Sequence, residues 1–518
     1  MKRSLSASDL DSSAAHWTAL LIMIVLAATL LYLAGLSPYL QGGGDDVYYV
    51  AVAKSIVEGE GFSSGHIAGS PPDVHHTPLF PVLLAGLYYF SPNNYVLFKL
   101  ISLASGLVCI CLVFKLSSEY VSPGRALLVS LLFALNPLVF QLSHAILTEL
   151  LFTSFSIAAL LCLERYDESG TDFNSAFWGS ILFASAAYYT RSMGVPLLIT
   201  AVLYFLVRRK FKRALLIGGS IFLLASPWLL RGILLGPSSE LQVVYAPFFF
   251  AQDPTDPHSP TITLADLVIR MLRKGGGYLG RDVPALMAFP NFFGSISLTF
   301  FEPLFFLKLA LGLLISVPML LGYLKCLRER RLLISMYVPL YFIPLLTCSF
   351  SSPRLLVPIS PLLLIFFVEG VETVFGSRWL HRVVAAMVVI ALLSDALELY
   401  KAHTLEMPTR EDKLLVEWMG ENSPADAVLL NGPIGTLYLH TGRRGVPLWG
   451  KLTQQEILGR IRKYGVDYVA FYPGGDYGQD RATAQTAQNL KRLIDDRAGE
   501  FVLVYEKEGV ALYSVQLR

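Results

Sequence analysis

Apolar positions fall into long, nearly unbroken blocks separated by short polar stretches, a pattern that predicts membrane-crossing helices rather than strands or surface helices. The first block, Trp17 to Leu36, is about 20 residues long, enough to span a bilayer, and reads as a retained signal anchor. Ten more predicted spans follow: Tyr95–Leu116, Ala126–Leu142, Ile146–Leu163, Ala176–Thr190, Val195–Val207, Ala214–Leu235, Phe300–Leu324, Leu332–Phe350, Leu355–Phe375 and Val383–Tyr400. A further run, Pro78–Phe90, has about 13 residues, too few to cross roughly 30 Å of hydrocarbon. It is predicted to be an interfacial or re-entrant helix on the outer side.

The basic clusters test that count. RRKFKR (Arg208 to Arg213), KCLRERR (Lys325 to Arg331) and the pair Arg378 and Arg382 all fall on the side of Lys2 and Arg3 when eleven spans are drawn. Counting Pro78–Phe90 as a span would invert every later cluster. The expected arrangement is a polar cytoplasmic tail over residues 1–16 and a membrane domain over 17–400. Outer loops are expected at 37–94 and 236–299. After Lys401 the pattern changes. EDKLLVEWMGE and LTQQEILGRIRKYG have helical spacing, AVLLN and VDYVAFY read as strands, and FVLVYEKEGVALYSVQ as a hairpin turning at Glu508–Gly509. Residues 401–518 are therefore expected to form an extracytoplasmic α/β domain.

Composition agrees with the patterning. Of the 518 residues 54% are hydrophobic and 15% charged, against about 25% charged in soluble domains, and mean hydropathy is +0.54. A net charge of +2 gives no electrostatic reason to expect a nucleic-acid partner. The five cysteines lie in or beside apolar segments, which fits neither a disulfide framework nor a zinc site; buried, unreactive thiols are expected. Neither GPIG nor YPGGDYG has dinucleotide-binding glycine spacing, and no internal repeat favours a repeat-built transporter.

Chemistry is concentrated at predicted outer ends of spans. The stretch from Gly42 to Phe62 carries Asp45 and Asp46 just past the first span, where both carboxylates are expected to meet water, followed by a short amphipathic helix along the membrane surface. Adjacent acids repel, which tends to raise the pKa of one; Asp at a helix start also caps amides and suits the dipole. On the same side fall His75, His76, His144, Glu149, Arg191 and Arg354. Carboxylates there suit a general base or a metal, and arginines suit an anionic phosphate through bidentate hydrogen bonds. Arg191 reads equally as a side chain snorkelling to the surface. Arg270, Arg273, Lys274 and Arg281, in or beside a Gly-rich outer loop, read as a phosphate gate or as cations facing lipid headgroups.

Five stretches carry a resemblance: GDDVYYVAVAKSIVEGEGF, HHTPLFPVLLAGLYY, NPLVFQLSHAILTELLF, YYTRSMGVPLL and SPRLLVPISPLLLIF. In order and spacing they resemble the bacterial GT-C glycosyltransferases of the protein O-mannosyltransferase and aminoarabinose transferase group. The resemblance implies a multi-span enzyme of the plasma (bacterial inner) membrane that takes a sugar from a polyprenyl-phosphate carrier at the outer face. It implies Asp45 as the catalytic acid, with Asp46 standing where the family often has Glu. Glu149 matches the second acidic position, and Arg354 the arginine that neutralises carrier phosphate. His75, His76 and His144 are candidates for phosphate or acceptor contact. The acceptor is left open between glycolipid, protein and cell-wall polymer. A sugar–phosphate bond is already activated, so no cofactor is expected. Related oligosaccharide transferases use a divalent metal, but the mannosyltransferase-like group does not obviously require one, and none is assigned. The alternatives are a transporter or flippase, and an oligosaccharide transferase or ligase of lipid-linked glycans. Aromatic stretches at Tyr245–Phe250 and Phe289–Phe306 are expected to line a groove for the polyprenyl tail, or to be packed core.

Overall fold

The computed structural model describes residues 7–40, 44–236, 239–242, 246–287, 305–404, 409–471 and 481–516. In chain order the helices begin with α1 (Ala7–Ala34), α2 (Asp45–Val57), α3 (Leu79–Phe90), α4 (Tyr95–Tyr120), α5 (Pro123–Ala134), α6 (Pro137–Ser143) and α7 (Glu149–Glu168). Next come α8 (Ser175–Thr190), α9 (Val195–Val207), α10 (Phe211–Leu235), α11 (Ala246–Phe250), α12 (Leu264–Gly277) and α13 (Val283–Met287). The series continues with α14 (Phe305–Arg328), α15 (Leu332–Thr347), α16 (Ser360–Phe375) and α17 (Ser377–Thr404). It ends with α18 (Arg410–Asn422), α19 (Ile434–Thr441), α20 (Gln454–Tyr464) and α21 (Arg481–Asp496). Two compact units result. One comprises Met1–Ser37, Lys99–Pro227 and Val268–Thr404, the other Pro38–Phe98, Trp228–Leu267 and Leu405–Arg518.

The first unit is helical. Among the described residues six helices are long and apolar enough to cross a membrane: Ala15–Ala34, Tyr95–Tyr120, Phe211–Leu235, Phe306–Arg328, Pro353–Phe375 and Ser377–Thr404. A bent pair, α5 and α6, would make a seventh. The apolar run Ala126–Leu142 is predicted as one span, but the chain bends by 58° between α5 and α6. Asn136 causes the break: its side chain accepts from Leu138 N (3.0 Å) and Val139 N (3.3 Å), capping a new helix whose first residue is proline.

Where α14 crosses α16, Gly322 and Gly370 bring the two backbones together. A Cβ at Gly370 would fall inside the Pro318 carbonyl, and one at Gly322 inside that of Phe366. Small residues at such crossings allow the close packing that membrane helices rely on.

Several basic side chains also make structural contacts. Arg213 donates to the carbonyls of Tyr166 (2.6 Å) and Ser169 (2.6 Å) and so closes the carboxyl end of α7. Arg125 and Lys325 both meet the buried Glu369 at 2.6 Å. All five cysteines are free; Cys109 and Cys326 are buried as expected, whereas Cys162 and Cys348 are half-buried and Cys111 is exposed.

The second unit contains a five-stranded sheet, β1 (Val428–Leu430), β2 (Arg444–Val446), β3 (Tyr468–Phe471), β4 (Phe501–Lys507) and β5 (Val510–Val515), in the order β2-β1-β3-β5-β4. The first three strands are parallel, and the β4–β5 hairpin is antiparallel. Leu430, Val446, Ile457, Ile461, Val469 and Phe501 are in its core. Ile67, Ala68 and Leu241, from far earlier in the chain, belong to the same core. The backbone of Ile67 also bridges to Gly445 of β2, through Ala68 N to Gly445 O and Gly445 N to His66 O, both 2.9 Å.

Helix α2 departs from expectation. The pattern predicts an amphipathic helix on the membrane surface, yet nine of its 13 residues are buried, including Lys54 and Ser55. It packs against α3 and α19, so little of its surface is left for solvent. The predicted outer loop 236–299 also differs: α11, α12, a π-helical turn at Tyr278–Asp282 and α13 occupy much of it. Most of the aromatic stretch Phe289–Phe306 lies outside the described residues.

Candidate active site

The predicted site residues fall into two groups, one in each unit. In the helical unit Glu149 opens α7 and is 0% exposed. Its Oε1 lies 2.9 Å from Nη1 of Arg191 and 2.9 Å from Nε of Arg354. Arg191 also donates to the Thr148 hydroxyl at 2.6 Å. The two guanidiniums come from quite different places: Arg191 ends α8, and Arg354 lies in the 3₁₀ segment Pro353–Ile359 that leads into α16. Three expected site residues are thus one ion-paired cluster. Arg191 does not snorkel. Its side chain is 15% exposed because a buried carboxylate holds it.

His144 is not part of this cluster. It follows α6 as its C-cap, is 2% exposed and packs on Phe140 with ring centroids 4.9 Å apart. Gly35 leaves it room, since a Cβ there would lie 2.9 Å from Nδ1.

The same unit holds an apolar cavity of about 240 Å³ lined by Tyr278, Met319, Tyr323, Phe342, Leu346 and Phe366, among others. The π-helical turn forms one wall; π-turns widen a helix locally and often mark functional positions. Ser316 satisfies the Leu279 carbonyl in that turn at 2.6 Å. Three of the cations read as a gate lie along the adjoining segment. Arg270 donates to Thr347 O (3.2 Å), Lys274 to Phe350 O (2.5 Å) and Arg281 to the Ser351 hydroxyl (3.1 Å).

In the second unit, Asp45 and Asp46 form the first turn of α2 behind Gly44, an N-cap without a side chain. Only Asp45 is partly exposed; Asp46 is 3% exposed, and its Oδ1 accepts from Val47 N at 3.0 Å. The expectation that both acids meet water holds for one, because α2 packs against α3 and α19 and takes Asp46 into that contact. Tyr48 and Tyr49 follow. Tyr48 stacks on His66 (4.8 Å between centroids), and Tyr49 meets His76 edge-on (4.7 Å).

His76 is anchored by Asp73, which lies in the loop between α2 and α3. Asp73 is 1% exposed. It accepts from His76 Nδ1 (3.0 Å), from the amides of His75 (3.0 Å) and His76 (2.8 Å), and from the Ser64 hydroxyl (2.8 Å). Burial pushes its carboxyl up, but the His76 charge and the hydrogen bonds from His76 and Ser64 outweigh it. They hold the group well below the usual carboxylate range. Burial likewise pushes His76 down, yet Asp73 and the Asp45 charge carry it above the ordinary histidine value. His66 behaves oppositely: burial lowers it to about 4, against the opposing Asp73 charge.

From α10, Arg231 reinforces the loop, donating to Asp73 O (2.7 Å) and Phe62 O (3.2 Å), and Gln242 donates to Pro72 O (2.9 Å). The one local signal for this anchor was the Asp-x-x-His spacing, which suits an Asx-type turn. Among the described residues no three His, Cys, Asp or Glu side chains converge as metal ligands.

A family profile described as dolichyl-phosphate-mannose-protein mannosyltransferase matches residues 75–230. No curated protein matches the chain. Among solved structures the chain is similar to ArnT from Cupriavidus metallidurans in the apo state. The identity is 12%, with a TM-score of 0.58 over 97% of this chain and 98% of that one. The same protein bound to undecaprenyl phosphate aligns with a TM-score of 0.58 at 12% identity, over 96% of this chain and 98% of that one. The oligosaccharyltransferase AglB from Archaeoglobus fulgidus, in complex with an inhibitory peptide and a dolichol-phosphate, is similar at 13% identity. Its TM-score is 0.56 over 95% of this chain and 74% of that one. Likeness at this level of identity speaks for the fold: the chain is a polytopic helical membrane protein with the GT-C glycosyltransferase fold.

Proposed function

We propose that the protein is a membrane glycosyltransferase that moves a sugar from a polyprenyl-phosphate donor to an acceptor on the extracytoplasmic face of the plasma membrane, with inversion. The observation that carries this reading is the pair of guanidiniums pinned to one buried carboxylate, Glu149. A planar guanidinium carries its donors in a fixed fork suited to phosphate oxygens, and the shared carboxylate sets where both forks lie. Arg191 and Arg354 then hold the donor phosphate, and Glu149 orients them. Charge develops on the leaving oxygen as the bond breaks, so preoriented cations lower the barrier. The 240 Å³ cavity and the cations along residues 347–351 suit the apolar tail and headgroup of such a carrier.

Asp45 is the base. It takes the proton of the acceptor hydroxyl or amine while the acceptor atom bonds to the anomeric carbon. The carbon–oxygen bond to phosphate breaks, and polyprenyl phosphate leaves with both electrons. Asp46 is buried beside it and shapes its field. His76, paired with Asp73, and His75 beside it act on phosphate or acceptor. Related folds fit the reading: one neighbour is bound to undecaprenyl phosphate and another to a dolichol-phosphate. The AglB likeness also favours a second reading, an oligosaccharide transferase with a larger lipid-linked donor. Proteoliposomes offered polyprenyl-phosphate monosaccharides and lipid-linked oligosaccharides in parallel separate the two. Release of polyprenyl phosphate from a monosaccharide donor supports the first; consumption of the oligosaccharide donor alone overturns it.

A further inference from the structure

Helix α2 presents Asp45 and Asp46, yet a helix of 13 residues does not hold itself in place, since isolated helices below about 12–15 residues are marginal in water. A base must also sit within roughly 0.5 Å of its productive position. Gly44 gives α2 no side-chain cap, so what packs against the helix decides where the acids point.

Helix α19 of the α/β domain grips α2 at both ends. Near the acids, Gly435 lies so close that a Cβ would stand 2.6 Å from Val47 Cγ1 and 3.4 Å from Tyr48 Cε1. At the far end Tyr438 makes four contacts. Its carbonyl accepts from the buried Lys54 Nζ at 2.7 Å, and its ring lies 4.3 Å under the same ammonium. Its hydroxyl donates to Glu58 Oε2 at 2.9 Å and meets Ser55 Oγ at 3.3 Å. Gly65 is required at the same spot, because a Cβ there would stand 2.7 Å from the Tyr438 hydroxyl. An ion pair between Arg444 of β2 and Glu60, just past α2, adds a further tie. The Ile67 bridge to β2 threads the following loop onto the same sheet.

We propose that α19 is a clamp through which the C-terminal domain sets the position of the catalytic acids, with Tyr438 as its positioning residue. The proposal rests on Asp45 being the base. Tyr438→Phe removes the hydroxyl contacts to Glu58 and Ser55 and leaves the ring and carbonyl for Lys54. Gly435→Val drives a side chain against Val47 and Tyr48.

Full-length wild type, both variants and Asp45→Asn would be placed in lipid nanodiscs. Amide hydrogen exchange across residues 45–57 would be measured beside donor turnover. Loss of one or two hydrogen bonds predicts exchange in α2 about tenfold faster for Tyr438→Phe. Exchange in α16 should not change. The same variant should show kcat about tenfold lower, with the donor KM within about twofold of wild type. Gly435→Val should move exchange and kcat further in the same direction. Unchanged α2 exchange in both variants overturns the clamp. Faster exchange with wild-type kcat overturns the positioning role. Wild-type turnover by Asp45→Asn would instead remove the base assignment, and the exchange data would still decide whether α19 clamps α2.

Discussion

Glu149 shows how much one residue depends on partners distant in sequence. A carboxylate with no exposed surface is tolerable only with cations beside it. Arg354→Ala leaves Glu149 with Arg191 as its charged partner, so it should destabilise the protein by roughly 1–3 kcal/mol, the range for a lost hydrogen bond to a charged group, read as a lower thermal midpoint. Glu149→Gln leaves two guanidiniums side by side without their carboxylate, so it should also lower the thermal midpoint, and it should raise the donor KM about tenfold as the arginines lose their anchor. A donor KM unchanged in Glu149→Gln would contradict the phosphate-holding role.

The Asp73–His76 pair makes a pH prediction. The depressed Asp73 group stabilises the fold above the usual 3.8 and loses this as pH falls through its folded pKa. The elevated His76 group stabilises fully below the usual 6.5 and loses this as pH rises through its own. The gap in thermal midpoint between wild type and Asp73→Asn should therefore be widest between about pH 4 and 6.5 and narrow on both sides; a pH-independent gap would remove the ion pair. Asp45, His76, Glu149 and Arg354 could be singled out by residue type and expected depth. That Glu149 pairs with both arginines could not, because nothing local encodes contacts made across the fold. Asp73 differs: its partners His75, His76 and Ser64 are near in sequence, but they lie in a loop with no periodicity to show which side chains turn inward.

At the scale of elements, apolar length was the strongest signal, and it located α4, α10, α16 and α17 well. It failed where a local polar group competes with a run. Asn136–Pro137 is a turn dipeptide inside an apolar stretch, and its capping bonds bent what reads as one span. It also failed for α2, whose burial comes from α3 and α19 rather than from its own periodicity. Helix α19 and strand β2 are too short for periodicity to show, and no local pattern announced that α19 would hold α2. The α14–α16 crossing carries the prediction at this scale. Gly370→Ala puts a methyl where the Pro318 carbonyl stands, so the helices must separate. Overpacking of this kind costs roughly 1–3 kcal/mol. Because Met319 and Phe366 wall the cavity, donor affinity should fall together with thermal stability. Loss of neither would mean that the crossing relaxes freely.

For the whole molecule, composition alone placed the chain in the membrane, and strands β1–β5 all lie after the change of pattern at Lys401. What could not be seen is that residues 38–98 and 228–267 share a compact unit with residues 405–518. Ile67, Ala68 and Leu241 are isolated apolar residues in loops, and only the assembled core shows why they are there. Deleting residues 405–518 should thus expose the loop around Ile67 to protease while α14–α17 stay protected in the bilayer; a protected loop would contradict the shared core. The central claim is that Asp45 drives sugar transfer from a polyprenyl-phosphate donor. It is tested most directly by free polyprenyl phosphate released in proteoliposomes from a panel of such donors, with cell extract as acceptor source, for wild type beside Asp45→Asn. The account predicts release from one donor by wild type and a loss of at least about 100-fold in the variant. Equal release by both, or none from any donor by folded wild type, would contradict it.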